Sequence, residues 1–425
     1  MEVVGDMRVK IQTKAKSRRK DLHVHGSAKL RSVELFTGAG GLALGTEAAG
    51  FCHDTVVERN RYCCDTIREN QQRGFAALQG WRLFPGDVRE FDYSSISKQV
   101  DLLAGGPPCQ PFSIGGKHKA FDDDRDMFPQ VVRAVRELKP RAILVENVKG
   151  LTRKSFANYF NYILMQLSHP DVYKRGNESW TEHRDRLEKY HTKGSWSGLE
   201  YHVVPRLLNA ANFGVAQKRE RVFFVGFRTD LGIAWSFPEE THDLDSLLVD
   251  QWISGAYWER HEVAKKNRPA MPERFGARVQ ALRQERNGSL FTAAMQPWRT
   301  VRDAIRDLPD PESKEGAKVL NHKFTPGARA YTGHTGSPLD EPAKTLKAGD
   351  HGVPGGENCV VLPSGELRYF TVREAARLQS FPDDYFFHGA WSEAMRQLGN
   401  AVPVLLGQRV AMGVRTSLDL NSRRA

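Results

Sequence analysis

Residues 32–43 read Ser-Val-Glu-Leu-Phe-Thr-Gly-Ala-Gly-Gly-Leu-Ala. An apolar strand at Ser32–Phe36 enters a glycine turn at Thr37–Gly41, and a helix-like stretch, Leu42–Ala49, follows. Glycines at such a turn let the backbone bend tightly and approach a ligand, while the helix start presents free N–H groups. Outward from this unit the pattern repeats. Asp54–Glu58 is a second strand and Tyr62–Gln72 a second helix; Val100–Ala104 and Arg141–Glu146 are buried strands flanking an amphipathic helix at Met127–Leu138. Strands alternating with helices at this spacing predict a parallel, doubly wound α/β sheet. Tyr201–Leu208 and Val222–Phe227 read as its last strands.

Two stretches break the rhythm. Residues 169–198 are rich in charge, Ser, Gly and Trp and read as a surface insertion. Residues 238–368, with clustered Pro, Gly, Arg and aromatics, read as a second, smaller domain. The first thirty residues form a basic arm, residues 31–237 the main domain, and residues 369–425 return to it with helices at Thr371–Gln379 and Pro403–Arg415.

Composition narrows the function. Of 425 residues, 62 are Lys or Arg and 51 Asp or Glu, a net charge of +11, which favours a polyanionic partner. The hydrophobic fraction of 40% is that of a globular chain. No apolar run approaches the roughly 18–20 residues that cross a bilayer, so a soluble protein without a membrane partner is expected. Five cysteines without a CxxC pair argue against a disulfide framework, a zinc ribbon or a thioredoxin-like centre, so no metal is expected.

The motifs sit at strand ends. Glu58 closes the second strand 20 residues after Gly38, where a carboxylate can hydrogen-bond ribose hydroxyls, and Asp87 in a Gly86-Asp87-Val88 turn can reach an adenine ring. Taken alone, this set suits NAD and S-adenosylmethionine equally. After Val100–Ala104 comes Gly105-Gly106-Pro107-Pro108-Cys109-Gln110-Pro111-Phe112-Ser113, which aims a thiol at the edge where such sheets bind ligands. Glu146-Asn147-Val148 ends the next strand on the same edge. In Gln217-Lys218-Arg219-Glu220-Arg221, alternate arginines on an extended segment point the same way and can converge on one anionic or carbonyl group.

The ordered set resembles the DNA (cytosine-5)-methyltransferases of prokaryotic restriction–modification systems. It comprises Phe36-Thr-Gly-Ala-Gly-Gly41, Pro108-Cys-Gln110, Glu146-Asn-Val148, Gln217-Lys-Arg-Glu-Arg221, Arg373-Glu-Ala-Ala-Arg-Leu-Gln379 with Phe381-Pro382, and Gly399-Asn-Ala-Val-Pro403. The likeness spans about residues 31–417 apart from the two irregular stretches. Ala216 stands where a proline is common.

The resemblance implies a class I S-adenosylmethionine-dependent methyltransferase fold, Rossmann-like and mostly parallel, with a smaller irregular target-recognition domain. It implies S-adenosyl-L-methionine held by Phe36, Gly38, Ala39, Gly40 and Gly41, by Glu58, Arg59, Asp87 and Val88, by Gly106 and Pro108, and by Asn400, Ala401 and Val402. Cys109 is the implied nucleophile at cytosine carbon 6, Glu146 the acid at ring N3, Arg221 the contact to the cytosine carbonyl, and Arg219 a support of the cysteine loop and a nearby phosphate. Gln110 and Ser113 would meet the DNA around an extruded base. Double-stranded DNA is the implied partner, with Arg260 and Arg283 among the interleaved bases and aromatics as candidate readers. A cognate restriction endonuclease and a cytoplasmic location follow from the same likeness. A tRNA cytosine-5 methyltransferase and a non-catalytic DNA-binding relative are the alternatives; an NAD oxidoreductase fits only the first motif.

Overall fold

The computed structural model describes residues 30–96, 98–108, 126–194, 197–288, 295–329, 332, 335–349 and 356–423. The basic arm, Cys109, Gln110 and Ser113 lie outside these residues, as do most of the glycine-rich stretches at 333–336 and 349–356.

Seven strands form the central sheet: β1 (Leu30–Leu35), β2 (Phe51–Val57), β3 (Arg82–Phe84), β4 (Leu102–Gly105), β5 (Ala142–Val148), β6 (Tyr201–Asn209) and β7 (Glu220–Arg228), in the order β3-β2-β1-β4-β5-β7-β6. The first five pair in parallel. Most of their inward positions are apolar because helices cover both faces, and Ala142–Val145 are fully buried. The last two make the sheet mostly rather than wholly parallel, as expected: β7 runs antiparallel to β5 and to β6. Only residues 210–219 join β6 to β7, too few for a crossover helix, so the chain turns back as a hairpin.

One face packs against α3 (Phe128–Leu138) and α4 (Ala157–Ser168), burying Val131, Val135, Ile163 and Leu167 beneath Ile143 and Val145. Lys139 ends α3 in the left-handed conformation and Pro140 stops it. The other face carries α1 (Gly41–Ala48) and α12 (Val404–Ser422). These two approach closely at Gly45, where a β-carbon would lie 2.7 Å from the Val404 carbonyl oxygen. The last helix thus packs against the first.

The 169–198 stretch is more than a surface loop. It contains α5 (Trp180–Lys193), started by a reciprocal Ser179/Glu182 capping box. Leu187 enters the main core, and the buried His183 ring lies 2.8 Å from both the Tyr162 hydroxyl and the Val172 carbonyl.

Residues 238–368 contain α6 (Leu244–Val249), α7 (Ala256–Arg260), α8 (Glu273–Gly288) and α9 (Val301–Ile305). Leu247, Tyr257 and Trp258 form one small core and Leu248, Val279 and Leu282 another. Val301, Ala343, Leu346 and Val360 instead join the cluster around α10 (Val372–Leu378) and α11 (Trp391–Asn400), to which α2 (Arg61–Gln72) contributes Ile67.

Candidate active site

A cavity of about 1630 Å³ opens along the C-terminal edge of the parallel strands, the place where such sheets hold ligands. Its wall begins at the turn after β1. Phe36, Gly38 and Gly40 all have positive φ (57°, 58° and 87°), a conformation that a phenylalanine adopts only when its surroundings impose it. The Thr37 N–H donates to the Val57 carbonyl, and the Gly38 N–H donates to Glu58 at 2.7 Å. The second Glu58 oxygen accepts the Asn60 N–H at 2.6 Å, and burial pushes the Glu58 carboxyl above the usual range. Nothing lies within 4 Å of where a β-carbon on Gly38 would stand.

Phe36, Gly38, Gly41, Glu58, Arg59, Asp87, Val88, Gly106, Pro108, Asn400, Ala401 and Val402 all line the cavity. Ala39 and Gly40 are not among the residues that border it. The Ala39 carbonyl faces backward and accepts the Tyr385 hydroxyl at 2.7 Å, and Gly40 packs on Tyr385 and Trp81. Asp87 caps the short turn after it through the Arg89 N–H; its carboxylate is also held by Arg89 at 2.7 Å and Arg59 at 3.2 Å, which pull its pKa far down.

The second wall follows β4 and β5. Pro107 is anchored by the buried Asn147 amide, which donates to its carbonyl at 3.1 Å. Glu146, only 7% exposed, lies 2.9 Å from the Arg221 Nε. Burial raises the Glu146 pKa against the opposing pull of Arg221 and Arg219, which favours a proton on the carboxyl when a neutral ring displaces water. A β-carbon on Gly106 would sit 3.0 Å from the free-standing Glu146 oxygen, so glycine keeps that approach open.

Arg219 departs from expectation. It is fully buried, donating to the carbonyls of Leu346 at 3.1 Å and Gly399 at 2.6 Å. A group sealed from solvent in this way cannot contact a DNA phosphate, so it ties two cavity walls together instead. The alternation rule misplaced it because residues 217–219 do not belong to β7; they run beside 343–345 through a Gln217–Ala343 bridge and the Lys218 N–H bond to Ala343.

Among the aromatics of 238–368, Tyr257 and Trp258 are core residues. Arg260 pairs with Asp250 at 3.0 Å and Arg283 donates to the Trp252 carbonyl at 3.0 Å, though both remain exposed.

Several cavity residues escaped the sequence reading. Arg153 and Lys149 follow β5, Thr345–Gly349 come from the irregular segment, and Arg396 comes from α11. None falls in a motif that singles it out. Glu34 also lines the cavity, and its signal was visible: a lone carboxylate inside an apolar strand. Among the described residues no group of three or more His, Cys, Asp or Glu is placed to hold a metal, and no helix is long and apolar enough to cross a membrane.

Comparison with known proteins agrees with this geometry. The family model for C-5 cytosine-specific DNA methylase matches residues 30–175 and 181–415. The chain is 31% identical over 399 residues to the Type II methyltransferase M.Eco47II of Escherichia coli, covering 92% of this chain and 80% of that protein. It is 29% identical over 401 residues to the Type II methyltransferase M.PspPI of a Psychrobacter strain, covering 94% and 82%. A crystal structure of a Spodoptera frugiperda DNMT2 mutant shares the fold, with a TM-score of 0.54 at 17% identity over 91% of this chain and all of that one. With residues of five of this family's motifs bordering one cavity, the chain belongs to the C-5 cytosine-specific DNA methylases and is an S-adenosylmethionine-dependent enzyme that methylates carbon 5 of cytosine in DNA.

Proposed function

We propose that the cavity binds S-adenosyl-L-methionine beside an extruded cytosine of a short, specific double-stranded site. The buried Glu146–Arg221 pair, on the same cavity as Glu58 and the Gly38 turn, carries this reading. The residues fit the cofactor. An open left-handed glycine, a carboxylate at ribose position and a cavity large enough for both a nucleoside and a base are present. When bound, S-adenosylmethionine supplies an electrophilic methyl group.

Carbon 5 of cytosine is too weak a nucleophile unaided. The Cys109 thiolate adds to carbon 6, forming a C–S bond and shifting the ring π electrons towards carbon 5. Glu146 donates its proton, or a hydrogen bond, to ring N3 as negative charge develops there. Arg221 holds the Glu146 carboxyl and faces the cytosine carbonyl. Once carbon 5 has taken the methyl group, loss of its proton to a base restores the C5–C6 double bond and expels Cys109.

Residues 238–368 act as the target-recognition domain, with Arg260 and Arg283 exposed to reach DNA once their local contacts are exchanged. Gln110 and Ser113 lie next to the nucleophile in sequence and meet the DNA backbone or the space left by the flipped base. A restriction endonuclease of the same specificity accompanies the enzyme in the cytoplasm. The decisive experiment uses duplex DNA carrying 5-fluorocytosine at a mapped site. A covalent protein–DNA complex is expected with cofactor present and absent with Cys109→Ser; no complex with the wild type overturns the mechanism.

A further inference from the structure

Lys149 directly follows Glu146-Asn147-Val148 and borders the same cavity as Glu146. Its Nζ donates to a carboxylate oxygen of Glu220 at 2.6 Å. Val148 at the end of β5 is opposed in register to Arg221 at the start of β7, which sets two acid–base pairs side by side: Glu146 with Arg221, and Glu220 with Lys149. They differ in depth. The side chains of Glu146 and Arg221 are 9% and 12% exposed, those of Glu220 and Lys149 40% and 57%. The inner pair is built into the cavity wall. The outer one is open to solvent, where such a pair contributes little to stability and little is lost when one member changes partner.

A cytosine seated against Glu146 and Arg221 remains joined to its sugar and phosphates, which stay at the cavity mouth with the rest of the strand. An ammonium on a flexible stem suits a phosphate in that place. We propose that Lys149 leaves Glu220 for a phosphate flanking the extruded cytosine, so that Lys149 is a positioning residue for the base and Glu220 its resting counter-ion. This rests on the base-extrusion reading above and adds the backbone contact that holds the base in place. The exchange trades one charge-assisted hydrogen bond for another and sets the Glu220 carboxylate free in solvent.

Binding to duplexes with one neutral phosphate tests this. Each duplex carries a mapped target, with a normal backbone or a single methylphosphonate placed 5′ or 3′ of the target cytosine. The wild type should lose affinity severalfold at one of the two placements, a comparison that needs no variant to fold. Lys149→Gln should bind the normal duplex more weakly and lose nothing further at that placement. Glu220→Gln frees the ammonium and should tighten binding of the normal duplex severalfold, a gain that disappears in the Lys149→Gln/Glu220→Gln double variant. No wild-type loss at either placement, or equal losses in wild type and Lys149→Gln, overturns the assignment. So does a Glu220→Gln gain that persists without Lys149, since removing any acid near DNA would then explain it. The same target carrying 5-fluorocytosine tells the two readings apart: if the wild type forms no covalent complex there, base extrusion fails, whereas a complex with no methylphosphonate effect sinks the Lys149 assignment alone.

Discussion

The Tyr385 hydroxyl donates a 2.7 Å hydrogen bond to the carbonyl of Ala39, 346 residues earlier in the chain. The bond crosses from the C-terminal segment to the back of the cofactor turn, where Phe36, Gly38 and Gly40 hold positive φ. Tyr385→Phe keeps the ring among Phe75, Phe381 and Phe387 but leaves a buried carbonyl unpaired. It should cost about 1–3 kcal/mol in thermal unfolding and weaken S-adenosylhomocysteine binding severalfold, with DNA affinity unchanged. An unaltered unfolding temperature would show that the bond contributes nothing to the turn.

Glu146→Gln removes the transferable proton and keeps the shape of the side chain beside Arg221. Single-turnover methylation should slow by about 10²–10⁴-fold while cofactor and DNA dissociation constants hold. Rapid-quench measurement with labelled donor tests this, and a wild-type rate would remove Glu146 from the chemistry.

Arg219→Met leaves the Leu346 and Gly399 carbonyls without their donor, each worth about 1–3 kcal/mol, so stability should fall steeply. Because the guanidinium is sealed from solvent, the salt dependence of DNA binding should keep its slope at temperatures where the variant is folded. A shallower slope would return Arg219 to a phosphate contact.

Arg153 behaves in the opposite way. It is exposed on the cavity rim and its guanidinium makes no ion pair among the described residues. Arg153→Ala should lower the slope of log affinity against log salt by about 0.9, as expected for one lost phosphate contact, with no change in thermal stability. An unchanged slope means that the DNA passes elsewhere.

His53 gives a pH signature. Its buried ring, 3.0 Å from the Ser32 hydroxyl and 2.8 Å from that of Thr46, has its pKa lowered to about 4, chiefly by desolvation. The unfolded chain therefore takes up this proton before the folded one. The stabilisation is full above pH 6.5 and is lost as pH falls towards 4, a change of about 3 kcal/mol. The stability difference between wild type and His53→Gln should shrink by that amount between pH 7.5 and 4. A difference constant with pH would rule out a buried neutral ring.

The parallel half of the fold was legible because its information is local. Apolar runs of strand length, helix periodicity and a glycine turn mark β1, β2, β4 and β5, whereas the three-residue β3 is too short to show such a run; the motif residues Glu58, Gly106, Glu146 and Asn400 stand at or near the ends of elements whose order fixes which edge they share. The sequence by itself also carried the family, through six motifs in one order. Tertiary structure decided the rest. Arg219 and Arg221 stand two residues apart and look equivalent, yet one closes on Glu146 while the other is drawn to carbonyls 127 and 180 residues away. Alternation fixes a side chain's direction only within a continuous strand, and a buried guanidinium goes where unpaired carbonyls remain. The same dependence on distant partners set Ala39 and Gly40 against Tyr385 and turned Tyr257 and Trp258 into core, because burial is a property of the assembled fold and no local pattern specifies it.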